Sequence, residues 1–220
     1  MLNLKILSGS MIAVLLAIGS YLTLISIPGA AVARGGAHKL GETANAATKP
    51  SSTSVAISDR AIGEAKVGMT FGQLKQALGS TALFKVESPF MVDFDAVAIS
   101  RSGKVQYRII YPAGTKLKDN DVIELLMTDN PNYKTLQGIG PRMTLKKAEA
   151  IYGKATLSYN VDNEMREGAV FAKQPTRKIM FVPKADGKQF AGVYGAGKNG
   201  FYETNKYQPN AAIKSVMVRK

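Results

Sequence analysis

Two short phrases, 74 positions apart, set narrow limits on what this chain can build: VGMTFGQLKQALG at residues 67–79 and PRMTLKKAEAIYG at 141–153. In the first, Thr70 precedes Phe71, Leu74 and Leu78 at helical spacing, and Gln73 stands three residues after Thr70. That is the pattern of a capping box opening one amphipathic helix. Gly79 closes it, because glycine accepts the left-handed backbone that helix C-termini adopt. In the second, Thr144 precedes Leu145, Ala148, Ile151 and Tyr152, and Gly153 is the stop. Met69 and Met143 lie just before the caps, placed to pack back on their helices as hydrophobic staples.

After each helix the apolar period changes from helical to alternating. ALFKV, VDFDAVAIS, KVQYRIIY and DVIELLMT follow the first, with Ser102-Gly103 as a tight hairpin turn. ATLSYNV, a loop over 163–177, then KIMFV, QFAGVY and IKSVMV follow the second. In KVQYRIIY, Val105, Tyr107, Ile109 and Tyr111 share one face opposite Lys104, Gln106 and Arg108, the alternation of a half-buried antiparallel strand. The expected fold class is therefore α+β: two tandem units, 58–130 and 131–220, each a short helix packed on about four antiparallel strands.

The segments before these units carry an address and a tether. Lys5 is followed by an apolar run of about 17 residues, Pro28-Gly29 and then Ala31-Val32-Ala33, the order of a signal peptide cleaved before Arg34. The alternative is an uncleaved anchor, since such a run is near the lower limit for spanning a bilayer. Residues 34–57 are rich in Gly, Ala, Ser and Thr and lack a hydrophobic period, which suits a flexible tether. No later segment is apolar over a membrane-spanning length, so no stable span is expected once the signal is removed. These features predict an exported protein, periplasmic or extracellular.

Charge separates the two units. Residues 58–130 carry nine basic and nine acidic side chains, whereas 131–220 carry sixteen basic and six acidic. A local positive field of that size attracts polyanions or acidic proteins. Given the export signal, the expected partner is an anionic envelope polymer or an acidic protein, not nucleic acid. The candidate binding residues are Arg177, Lys178, Lys184, Lys188, Lys198 and Lys206, with Phe201, Tyr202 and Tyr207 interleaved. Rings beside cations suit stacking on sugars and pairing with acidic groups.

Catalytic signals are sparse. The chain has no cysteine, which excludes disulfides and thiolate metal sites, and its one histidine, His38, lies in the tether. There is no Gly-x-Ser-x-Gly and no Ser-x-x-Lys, so conventional serine hydrolysis is not expected. GVYGAGKN at 192–199 follows phosphate-loop spacing until Asn199 replaces the magnesium-binding Ser or Thr, and no helix pattern follows it. It is expected to be a glycine-rich turn. Asp93 and Asp95 project from one face of an extended segment about 7 Å apart, a pair that suits a hard cation or acid–base work. A carboxylate-dependent, glycosidase-like enzyme is accordingly the alternative to a binding protein. Asp119, Asn120 and Asp121 are expected to form a turn before a strand. No cofactor and no metal are expected.

The paired Met-Thr helix motifs at 67–79 and 141–153 resemble the tandem units of the secreted β-lactamase-inhibitor protein and the single unit of a small lipoprotein of the outer-membrane barrel assembly machine. VDFDAVAIS, YPAG and DNPNYKTLQGIGPRMTLKKAEAIYGKATLSYN resemble an uncharacterised group of exported cyanobacterial proteins. The first resemblance implies a non-enzymatic binding or assembly role and carries no residue-level site. The chain departs from both relatives, lacking the lipidation cysteine of one and the cysteines and tryptophans of the other.

Overall fold

The computed structural model describes residues 56–220. Both capped helices form where the phrases place them: α1 is Phe71–Leu78 and α2 is Leu145–Tyr152. Thr70 Oγ1 accepts the Gln73 N–H at 3.2 Å while Gln73 Oε1 accepts the Thr70 N–H at 2.8 Å, closing the capping box. Thr144 accepts the Lys147 N–H at 3.3 Å, but lysine has no acceptor to return the bond. Gly79 and Gly153 stop the helices at positive φ, 56° and 74°. Phe71, Leu74 and Leu78 of α1 and Leu145, Ala148 and Tyr152 of α2 are buried, whereas Ile151 is 44% exposed and faces away from the core.

The strands are β1 (Ala56–Ile57), β2 (Ala61–Ile62), β3 (Ala65–Lys66), β4 (Leu83–Met91), β5 (Phe94–Arg101), β6 (Lys104–Pro112), β7 (Leu125–Thr128), β8 (Lys134–Thr135), β9 (Ala155–Asn160), β10 (Gly168–Phe171), β11 (Ile179–Lys184), β12 (Phe201–Thr204) and β13 (Ala212–Arg219). Nine of them make one sheet in the order β12-β9-β10-β11-β13-β7-β6-β5-β4. Every pairing in that sheet is antiparallel. The two-residue strands form a small second sheet, β3-β2-β1-β8.

The α+β expectation is therefore corrected: the fold is β-rich. Caps and glycine stops confine each helix to eight residues, which cover only a patch of a nine-stranded sheet. The two half-sheets also do not stay separate. The last strand of the chain, β13, pairs with β7, Val216 opposite Thr128 and Met217 opposite Met127. Left apart, each would present an unpaired edge of N–H and C=O groups. Three strand assignments also move. QFAGVY, expected as a strand, is irregular, β10 arises inside the segment expected as a loop, and β12 forms where no strand was expected.

One face of the large sheet carries the core. Val97, Ile99, Tyr107, Ile109, Leu126, Val216, Val218, Phe181 and Phe171 pack there with both helices and with Ile57, Ile62 and Ala65 of the small sheet. The other face has no helix over it. Arg108 lies across it, with Nε 2.7 Å from Glu87 on β4 and Nη1 3.2 Å from Asp129 beyond β7. Ala98 stands directly opposite Arg108 on the intervening β5, with Ala96 alongside, and these small side chains leave room for the guanidinium to cross. Phe90 covers it from above at 5.4 Å. Near one end, Arg166 reaches Asp93 at the β4–β5 turn and lies 5.3 Å from the Phe94 ring. Segments from near the two ends of the strand order thus meet.

The asymmetry between the caps is testable. Thr70→Ala and Thr144→Ala should each lower stability by about 1 kcal/mol. Gln73→Ala should add a further loss, whereas Lys147→Ala should cost nothing or gain a few tenths, because a cation in the first turn opposes the helix dipole. Urea unfolding midpoints measure all four.

Candidate polyanion-binding rim

Alternation of strand direction decides which basic residues become neighbours. Lys154 precedes β9 and Lys173 follows β10. Phe171 at the end of β10 pairs with Ala155 at the start of β9, and the Ala172 N–H donates to the Lys154 carbonyl at 3.0 Å. Arg177 and Lys178 precede β11, while Arg219 and Lys220 end the chain at β13. There the Arg219 N–H donates to the Lys178 carbonyl at 3.1 Å. Lys206 follows β12, and Asn205 beside it donates to the Ala155 carbonyl and to Thr156 Oγ1, both at 2.9 Å. Seven cations thus line one rim across five adjacent strands, a span of roughly 19 Å at the usual strand spacing. At its far end β7 contributes Glu124, whose carbonyl accepts the Lys220 N–H at 3.0 Å.

Among the described residues none of the seven forms an ion pair. The local acids are engaged elsewhere. Glu149 accepts the Ala155 N–H at 2.7 Å and the Tyr207 hydroxyl at 2.6 Å. Glu167 accepts the Ala191 and Gly192 N–H groups at 2.8 and 2.7 Å and the Tyr194 hydroxyl at 2.7 Å. Asp186 pairs with Lys184 and Glu164 lies 3.8 Å from Arg166. With these carboxylates committed, the exposed Glu124 and Glu203 are the acids left nearest the rim, and among the described residues neither pairs with its seven cations.

The nine residues singled out by sequence divide accordingly. Arg177, Lys178 and Lys206 sit on this rim. Lys184 lies at the opposite end of β11, with Lys188 in the turn beyond it, and Lys198 lies at the opposite end of β12. Phe201 is 45% exposed. Tyr202 stacks on Tyr159 at 4.7 Å, and Tyr159 stacks on Phe190 at 4.4 Å, with Tyr194 edge-on at 4.8 Å. Tyr207 packs against the core and anchors α2 through Glu149. Sequence patterns do not single out Lys154, Lys173, Arg219 and Lys220. Each stands at or within two residues of a strand terminus, but only strand order places those termini on one rim.

Two glycines of the phosphate-loop look-alike serve the aromatic cluster. A Cβ on Gly197 would come within 2.6 Å of the Tyr202 ring, and one on Gly192 within 2.6 Å of the Tyr194 ring. Backbone lies against these rings, so they act as packing and not as free stacking surfaces. Between Lys154 and Lys206 a shallow groove remains, floored by Tyr194, Gly195 and Thr204.

The carboxylates considered for chemistry occupy different settings. Asp93 is exposed at the β4–β5 turn and paired with Arg166 at 3.2 Å. Asp95 is 4% exposed and accepts the Gly114 N–H at 3.2 Å. Asp119 pairs with Lys75, and Asp121 accepts the Lys118 N–H at 2.6 Å in the turn before Val122. Among the described residues no group of three or more His, Cys, Asp and Glu side chains is placed to hold a metal ion. Nor is any helix there long and apolar enough to cross a membrane. His38 and the expected signal peptide and cleavage site lie outside the described residues.

The chain matches no protein-family model, no curated protein and no solved structure among those compared with it.

The phenols packed against these carboxylates make the fold sensitive to alkali. Burial, the hydrogen bond to Glu149 and that carboxylate's charge push Tyr207 from 10.0 up to about 12. Burial and the charge of Glu64 do the same for Tyr133, to about 12. Burial and Glu167 raise Tyr194 still further. The unfolded chain releases these protons first, so the stability they contribute is complete below about pH 10 and is lost as pH rises toward 12. Unfolding midpoints should fall over that window, and Tyr207→Phe should flatten part of the fall.

Proposed function

We propose that this chain is an exported, non-enzymatic binding or assembly protein that holds a linear anionic polymer of the cell envelope along the rim formed by β12, β9, β10, β11 and β13. One observation carries the reading: seven cations from five strand termini lie in a row without an acidic partner among the described residues. A row of like charges has no folding benefit of its own, and it matches a ligand whose negative charges repeat along a line. Five of the seven are lysines, compact charges on flexible stems that follow a polymer without demanding one bidentate geometry. The residues ahead of the described fold supply the export signal and tether in this reading.

Binding of the full chain to an immobilised sulfated polysaccharide, used as the probe, tests it. Affinity should fall steeply as salt is raised to about 0.5 M, where the Debye length is only a few Å. Reversing Lys154, Lys173 and Lys178 to Glu should weaken binding at least tenfold, or about 1.4 kcal/mol. The same change at Lys184, Lys188 and Lys198 on the opposite side should have a much smaller effect. Binding indifferent to salt, or equal losses from the two triple variants, would overturn the assignment of the rim.

A further inference from the structure

The face of the large sheet away from the helices carries a second set of side chains with a chemistry of its own. Met217 on β13 stands directly opposite Met127 on β7 and directly opposite Met180 on β11. The three are consecutive in one cross-strand row and all are half-buried. Directly opposed residues have Cβ atoms about 5 Å apart, and methionine's unbranched, rotatable chain lets the outer two sulfurs lean toward the central one. Thioethers are soft, uncharged ligands that favour Cu(I) over the hard cations preferred by carboxylates. No disulfide or thiolate competes for such an ion, because the chain has no cysteine.

The surroundings of the row restrict which ion it can take. Arg108 faces Met127 in the pairing of β6 with β7, but its guanidinium is committed to Glu87 and Asp129, so this group of three charges sums to minus one. On the rim side the row is flanked by Leu125, Arg219 and Lys178, and the two cations bring positive charge that a monovalent ion tolerates better than a divalent one. On the other side, two residues from Met217 along β13, stands Ser215. It is fully buried, and its Oγ has no hydrogen-bond partner. A buried hydroxyl without a partner costs free energy unless something supplies one, and Ser215 shares the Met217 face of β13.

We propose that Met127, Met180 and Met217, with Ser215 Oγ beside them, form a site for a soft monovalent cation, Cu(I) or its analogue Ag(I). The site is distinct from the cationic rim, whose Arg219 and Lys178 flank it on one side.

The full chain titrated with Ag(I), and with Cu(I) under reducing conditions against a chromophoric Cu(I) chelator, tests this. One ion per chain should bind, and the methyl NMR signals of Met127, Met180 and Met217 should shift together. Replacing all three with Leu conserves volume, so the unfolding midpoint should stay near that of the parent chain while affinity falls at least tenfold. Met217→Leu alone should cost more affinity than either outer substitution. If the triple variant does not fold, the methyl shifts of the unaltered chain decide the matter. Shifts confined to Met69, Met91, Met143 or Met165, no binding, or undiminished affinity in a folded triple variant would overturn the site.

Discussion

The pairing of β7 with β13 is the interaction on which the rest of this structure depends. It joins the strands that follow α1 to those that follow α2, with Met217 opposite Met127 and Val216 opposite Thr128. On one face this register brings Leu126, Val216 and Val218 into the same core as both helices. On the other it sets three methionines side by side and leads from them to Arg219 and Lys178 at the rim. A slip of one residue would exchange the two faces, sending valines to the open side and methionines under the helices.

Electrostatics follows from where the acids are held. In the first part of the chain, carboxylates meet cations: Glu64 with Arg101, Glu87 and Asp129 with Arg108, and Asp119 with Lys75. In the second part, Glu149 and Glu167 accept from amides and tyrosine hydroxyls. Those bonds order the irregular segment around Phe190 and Tyr194 and tie Tyr207 to α2. The same commitment leaves lysines at the strand ends without partners. An excess of positive charge spread along the sequence thereby becomes a line of charge on the fold.

Several features of the fold are legible in the residues themselves. Thr70 with Gln73, Thr144, and the glycine stops bound both helices correctly, because caps are local chemistry within four residues. Ser102-Gly103 turns the β5–β6 hairpin for the same reason, with both residues at positive φ. The strand reading of QFAGVY fails because Phe190 and Tyr194 alternate around the Tyr159 ring and not along a hydrogen-bonded ladder. β10 and β12 escape a pattern-based reading because four-residue strands among glycines carry little periodicity, and their pairing with β9 stabilises them. Of the nine candidate binding residues, three fall on the rim. Membership of the basic half is visible in the sequence, but the side of the sheet is not.

The sequence by itself determined what depends on neighbours along the chain: where helices start and stop, which residues alternate, which half is basic, and that neither cysteine nor a paired histidine is at hand for chemistry. Only the tertiary structure decided what depends on strand order. Lys154 and Lys220 belong to one rim while Lys178 and Lys184, six residues apart, belong to opposite ends of β11. Met127, Met180 and Met217 share one row although long stretches of chain separate them. The reason is that a strand's direction and neighbours are set by backbone hydrogen bonds to distant segments, and no local pattern specifies which segment will supply them.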